Sequence, residues 1–342
     1  MSIVKVAALA GVSKSTVSMV INNNPTVVPS TVAKVRQAME ELGYEPGPRE
    51  FRRGPKPNSM YKERVLTIAL VTLGIPREVL GAPLYSDVLH GIANSIRQHS
   101  HRLTIYHLHE PEEFDSETVF RSKADGFLLF GKGESRSSAQ ALREYPCVSL
   151  MGTDKVRPWC DWVSYDDIAA GNLAAAYLIE QGHKVCAFIG DEGWRRGKAF
   201  VEHIRAAGGQ VSTLDAANVI RIQDDAHQVD QEAVDLLIDQ LTKLSPRPTG
   251  MFVFADMVTA ALYPSLYQRG FEPGRDLSIV SCNNEWPLLL GLRPKPAVVD
   301  IQGVKIGRRA VEQLLWRMQN RREPTVTFLH TPTLVLPGQG NQ

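Results

Sequence analysis

Val6-Ala7-Ala8-Leu9-Ala10-Gly11-Val12-Ser13-Lys14-Ser15-Thr16-Val17-Ser18-Met19-Val20-Ile21-Asn22 has the pattern of two short helices joined by a tight turn, the form of a helix-turn-helix that reads DNA. Ser2 is placed to cap the first helix, and Val6, Leu9 and Ala10, at i, i+3 and i+4, give it an apolar stripe. Gly11 supplies the turn. Ser13 caps the second helix, whose Val17, Val20 and Ile21 repeat the spacing and must face the first. That leaves Ser15, Ser18, Met19 and Asn22 on the opposite face, with Lys14 at its N-terminal edge. Small polar side chains suit a helix lying in the major groove, within reach of base edges and phosphates. After the turn-rich Asn22-Asn23-Asn24-Pro25, the stretch Thr31 to Leu42 puts Val32, Val35, Met39 and Leu42 on one face, and Gly43 stops it. Three short helices thereby close a small core around the reader helix. An ordinary helical hairpin with a solvated outer face is the alternative.

The chain of 342 residues, 43% of them hydrophobic, is long enough for two or three units with real cores. Its formal net charge is +1, yet residues 1–64 carry ten Lys or Arg against five Glu and no Asp. The basic excess sits on the helix-turn-helix segment, where a polyanion would bind. No apolar run has membrane-spanning length and no export signal is visible, so a cytoplasmic, nucleoid-associated protein is expected. Cys147, Cys160, Cys186 and Cys282 are scattered without metal-ligand spacing. They read as small buried hydrophobes of a reducing compartment, and neither a metal nor a cofactor is expected.

Gly47 to Asn58 (GPREFRRGPKPN) is rich in Pro, Gly and Arg, hence a linker rather than one continuous helix. From Val65 strand and helix patterns alternate: Leu66 to Val71 a strand, Ser86 to Gln98 a helix, then strands at Leu103 to Tyr106, Gly126 to Phe130 and Cys147 to Leu150. The alternation resumes at Val185 to Ile189, Met251 to Phe254 and Leu277 to Val280. This predicts an α/β body of two doubly wound parallel lobes behind a small all-α headpiece. Ligands in such sheets bind beyond the carboxyl ends of the strands. The loops after Val71, Phe130, Leu150, Ile189, Phe254 and Val280 should therefore line a cleft.

A dehydrogenase would share the doubly wound pattern, but no Gly-rich phosphate turn follows the first strand, and Gly131-Lys132-Gly133 lacks the third glycine of that fingerprint. There is no P-loop, nucleophile elbow or His/carboxylate metal cluster, so an enzyme is not expected. His99 and His101, like His107 and His109, alternate as solvated strand or loop positions do. An exported sugar-binding protein, the other rival for the body, would need a signal where this chain has its DNA reader.

AGVSKSTVSMVINN (residues 10–23), followed by EELGYEP (residues 40–46), resembles the lactose/galactose-repressor (LacI/GalR) family of bacterial transcription regulators. The register continues through Ala124-Asp125-Gly126-Phe127, the run from Gly171 to Gly182-His183-Lys184, and Arg247-Pro248-Thr249-Gly250-Met251-Phe252 leading to Asp256. Gly270, Asp276-Leu277-Ser278-Ile279-Val280 and Pro332-Thr333-Leu334-Val335 complete it. The resemblance implies a headpiece over 1–46, a hinge over 47–64, and a two-lobed effector domain like the periplasmic binding proteins. Its first lobe is expected at 65–164 plus about 298–325, its second at 165–297 plus about 326–342. It further implies a homodimeric repressor on a pseudo-palindromic double-stranded DNA operator, controlled by a small molecule between the lobes, a sugar or sugar derivative.

By the same resemblance the effector is held by Arg196, which precedes Phe200 in RGKAF, with Ala199 where the family has Gly. Its guanidinium is the fork expected to clamp polar oxygens. Tyr85 is placed to stack on a ring, and Trp194, in a short loop, to close over the cleft. Asp256 follows Ala255 where the family has Asn, and Asn283 stands where the family has Asp. With two polar positions lost, a non-sugar metabolite, or no effector at all, stays open beside a sugar. In the headpiece, Met19 replaces a usual Arg and can touch a thymine methyl. The hinge Leu is Arg53 here, Glu50 replaces an Ala, and Pro48, Pro55 and Pro57 shorten any helix. Arg52 to Pro57 reads either as an arm in a narrow minor groove or as a solvated tether. The DNA-contacting set is thus Ser2, Lys14, Ser15, Thr16, Ser18, Met19, Asn22, Tyr44, Arg49, Arg52, Arg53 and Lys56.

Overall fold

The computed structural model describes residues 3–21, 27–44, 64–75, 80–108, 115–131, 135–152, 157–191, 193–223 and 226–338, and the chain divides into Met1–Arg64 and Val65–Gln342. The first unit holds helices α1 (Ile3–Ala10), α2 (Lys14–Ile21) and α3 (Pro29–Glu41). Ser13 Oγ accepts from the Thr16 amide at 3.1 Å, capping α2. The helices α1 and α2 meet at 104°, the crossing a helix-turn-helix requires. Val6, Ala7, Val17, Val20, Val35 and Ala38 form the buried core. Leu9, expected in the stripe of α1, is instead 47% exposed. Val6 and Ala7 define the inward face, and a residue two positions past Ala7 points about 200° away around the helix. Ser2, Asn22, Arg49, Arg52, Arg53 and Lys56 lie outside the described residues, and with them the choice between hinge helix, arm and tether.

In the second unit, β1 (Thr67–Leu73), β2 (Arg102–Leu108), β3 (Gly126–Gly131), β4 (Cys147–Leu150), β5 (Asp161–Tyr165) and β13 (Thr327–His330) form a parallel sheet in the order β13-β5-β4-β3-β1-β2. A second sheet holds β6 (Val185–Ile189), β7 (Gln210–Leu214), β10 (Gly250–Val253), β11 (Ser278–Cys282), β12 (Ala297–Asp300) and β14 (Thr333–Val335). Its order is β14-β12-β11-β10-β6-β7, parallel except for the antiparallel edge strand β14. A hairpin of β8 (Ile220–Gln223) and β9 (Ala226–Val229) stands apart. The central strands are continuous apolar runs because helices cover both faces: β1 is buried from Ile68 to Leu73 and β3 from Gly126 to Phe130.

The lobe boundaries differ from the expected ones near the C-terminus. Residues 298–300, placed with the first lobe, belong to β12 of the second sheet, and β13, placed with the second lobe, pairs with β5 of the first. A strand goes to whichever sheet edge receives its ladder, and the apolar pattern of four residues carries no information on that. The chain consequently passes between lobes three times, at Asp166, at Ile301-Gln302 and at Thr331-Pro332. These cords are tied together: Asp166 N donates to His330 O at 2.8 Å, and Gln302 Nε2 donates to Thr331 O at 2.6 Å.

Helices Gly303–Gln319 and Pro83–Gln98 meet backbone to backbone in the first lobe, as Asp167–Glu180 and Arg195–Ala206 do in the second. A Cβ on Gly307 would fall 2.1 Å from Val88 O, and one on Gly171 2.0 Å from Arg196 O. Only glycine permits either approach. All four cysteines are buried thiols outside any disulfide. His107 departs from the solvated role expected of it, its Nδ1 lying 2.8 Å from Thr72 Oγ1. Among the described residues no single helix is long and apolar enough to cross a membrane.

Candidate effector cleft and DNA-reading face

The carboxyl ends of both sheets enclose a cavity of about 450 Å³, within the size range of small-molecule sites. Gly74, Phe130, Leu150, Trp194, Phe254 and Asn283 bring in the segments that follow β1, β3, β4, β6, β10 and β11, so every loop expected to line the cleft does so. Two aromatic pairs form its walls. Tyr85 lies against Phe130 in the first lobe, centroids 4.9 Å apart, and Trp194 against Phe254 in the second at 4.7 Å. Burial, reinforced by nearby Tyr165 and Glu285, pushes the Tyr85 hydroxyl up to about 12, so it stays a neutral donor.

Arg196 reaches the cavity wall as expected, but its fork is already engaged. Because Gly171 lets the two helices touch, Nε donates to Asp167 Oδ1 at 2.6 Å and the Arg196 amide to Asp167 Oδ2 at 3.0 Å. Nη1 donates to Phe254 O (2.9 Å) and Cys282 Sγ (3.2 Å), and Nη2 to the Tyr165 hydroxyl (2.7 Å). Burial opposes the charge, yet Tyr165, Cys282 and Asp167 together raise the guanidinium pKa further. One Nη2 hydrogen is left for a ligand. A bidentate clamp is replaced by a single charge-assisted donor on a rigid base.

Asp256 does not face the cavity and is corrected from effector contact to framework. It is 0% exposed, accepts from Ser281 Oγ, and takes the Glu285 amide at 2.5 Å. Desolvation pushes its carboxyl up to about 7. Thr259 Oγ1, 2.7 Å from Ser281 Oγ and donating to Ala255 O at 3.2 Å, packs over the same buried group. Asn283 does line the cavity. It and Asn284 hold φ of 109° and 67° in succession, a left-handed course that Asn tolerates better than most side chains. The turn presents Asn283 to the cleft and buries Glu285, which is 5% exposed.

Glu285, Asp167, Tyr165 and Arg157 were not singled out in the sequence. Glu285 accepts from Asn283 Nδ2 at 3.2 Å and, across the lobes, from the Leu84 amide at 3.4 Å. That places a carboxylate at the otherwise uncapped N-terminus of helix Pro83–Gln98. Burial raises its pKa, and Asp87 adds to the rise. Arg157, 1% exposed, braces the wall by donating to Ser149 Oγ (3.1 Å) and Gly131 O (3.0 Å). A usable signal existed for two of the aromatics: Phe130 and Phe254 each end a buried apolar run, where the strand-end rule puts ligand. Among the described residues no three His, Cys, Asp or Glu side chains gather as a metal site would need.

On the headpiece, Lys14, Ser15, Ser18 and Met19 are all exposed on one face of α2. Thr16 is half-buried, its hydroxyl 2.9 Å from Ser13 Oγ, and Tyr44 is half-buried against the three-helix core. The face toward solvent is therefore narrower than expected by those two residues and consists of one cation, two hydroxyls and a thioether.

Residues 2–47 match the family described as bacterial regulatory proteins, lacI family, and residues 175–339 match the periplasmic binding protein-like domain. The ribose operon repressor of Escherichia coli (strain K12) is 24% identical over 97% of this chain and 98% of its own length. Among solved structures, the transcriptional regulator CelR–cellobiose complex is 23% identical with a TM-score of 0.64, covering 99% of this chain and 100% of that one. The lac repressor dimer bound to operator and an anti-inducer is 18% identical with a TM-score of 0.63, covering 98% of each chain. The chain thus joins a DNA-binding domain of the lacI family of bacterial regulatory proteins to a periplasmic binding protein-like domain, and it is a DNA-binding transcription regulator.

Proposed function

We propose that the protein is a cytoplasmic, homodimeric repressor whose affinity for a pseudo-palindromic operator is set by a small molecule, a sugar or sugar derivative, in the cleft between its lobes. The observation that carries this is the cleft itself: walls from both lobes, three hydrogen-bonded cords as the pivot, and Glu285 reaching from one lobe to the helix N-terminus of the other. Such a cavity changes shape when the lobes rotate, so a ligand that prefers one angle shifts the population of that angle. Two copies supply the two reader helices that one palindrome demands. Support for a sugar comes from the relatives, among them a ribose operon repressor and a cellobiose complex.

Full-length protein titrated onto genomic fragments that it selects is expected to give a specific complex. Its affinity should fall by orders of magnitude between about 50 and about 200 mM salt, and should shift on adding one member of a panel of sugars and sugar derivatives. Selection that enriches no sequence over random DNA would contradict the reading.

A further inference from the structure

We propose that the cleft is built to hold a planar aromatic or heteroaromatic ring, with Tyr85 and Phe130 as one jaw and Trp194 and Phe254 as the other. The inference rests on the cleft being the effector site and narrows the ligand that it takes. The rings of the jaws are tilted by 42° and 68°, so each pair offers both a face and an edge, the two arrangements in which an inserted ring is attracted. Tyr165 lines the same space at the end of β5, and Arg196 sits 5.3 Å over its ring. Among the described residues of the lining, polar side chains are fewer and largely committed. Asp256 is sealed beneath the floor, Arg196 keeps one hydrogen, and the Asn283 amide donates to Glu285, leaving its carbonyl oxygen.

A free hexose brings a hydroxyl on nearly every ring carbon. Each one buried without a partner weakens binding. A flat ring with one acceptor and one donor on its edge matches the Nη2 hydrogen of Arg196 and the Oδ1 of Asn283, while its faces take the four rings. This chemistry is shared by nucleobases and nucleosides and by glycosides with an aryl aglycone.

The test is calorimetric titration of the full-length dimer with matched pairs: adenosine against ribose, 4-nitrophenyl β-D-glucopyranoside against methyl β-D-glucopyranoside, and adenine and benzamide alone. At least one ring-bearing member is expected to bind roughly tenfold or more tightly than its ringless match. Trp194→Ala should erase that difference, while Trp194→Phe keeps most of it. Whether the nucleoside, the base or the aryl glycoside binds identifies the source of the ring. A ringless sugar that binds as tightly as its ring-bearing match, or a panel in which no ring-bearing compound binds at millimolar concentration, overturns the proposal. Both readouts are independent of DNA: a ring-bearing compound that binds without altering operator affinity would instead break the effector reading and leave the ring preference standing.

Discussion

Among the described residues each lobe contains one buried Arg–Asp pair, and the two serve different ends. In the first lobe Arg317 uses all five of its N–H groups: Nε and Nη2 on Asp161 at 2.9 and 2.6 Å, the rest on the carbonyls of Asn320, Glu323 and Pro324. Asp161 is as fully engaged, with Gln313 Nε2 and the Val326 amide each at 2.8 Å. The pair staples the last long helix and the strand that returns after it to β5. In the second lobe Arg196 uses four donors and keeps one on the wall of the cleft. The same two residue types therefore close a fold in one place and leave a recognition group in the other. What separates them is one hydrogen and the space beside it.

The contrast breaks first at Arg317. Arg317→Ala strands a carboxylate that is 0% exposed, and urea unfolding should show a loss of about 3–5 kcal/mol, with any folded fraction still able to bind in the cleft. A loss of effector binding without a loss of stability would show that the staple had been misread.

Asp256 sharpens the comparison because no cation bonds it among the described residues, so it answers burial by taking a proton rather than a partner. Its pKa rises from 3.8 unfolded to about 7 folded. The folded state thus holds a proton that the unfolded state releases, and stability must fall as pH rises between those values and level off above them. The penalty at pH 8 approaches about 4 kcal/mol at most. Asp256→Asn, which is neutral at every pH and keeps an acceptor for the Glu285 amide, should remove that part of the pH dependence. Parallel pH profiles for the variant and the parent would mean that Asp256 is ionised throughout.

Arg196→Ala carries the smallest stability cost, about 1–3 kcal/mol, because Asp167 keeps the backbone amide of residue 196 and the side chain removed lines the cleft. Adding Asp167→Asn removes the stranded charge and should restore stability but not effector binding. If binding returned with stability, Arg196 would be a second staple and the contrast would vanish.

The headpiece and the strand skeleton were legible because periodicity reports them directly: Val17, Val20 and Ile21 give one face of α2, and the apolar runs ending at Val71 and Phe130 give strands covered on both sides. The cleft was legible in outline, since strand ends predict it. Its electrostatics were not. Asp161 and Arg317 lie 156 positions apart, and neither carries a local pattern. Asp256 occupies a position that resembles a ligand contact, yet its direction depends on the turn at Asn283 and Asn284. Arg196 was found, but the partners that fill its fork, Asp167, Tyr165 and Cys282, come from three other segments joined by the contact that Gly171 allows.

Control of DNA binding through the cleft is tested most directly by fluorescence anisotropy on the selected operator fragment, with and without a saturating concentration of the compound found by calorimetry. Operator affinity should change by about tenfold or more. Trp194→Ala should abolish that change while leaving the affinity without compound as it was. An operator affinity indifferent to a compound that fills the cleft, or a response that survives loss of Trp194, would contradict control through this site.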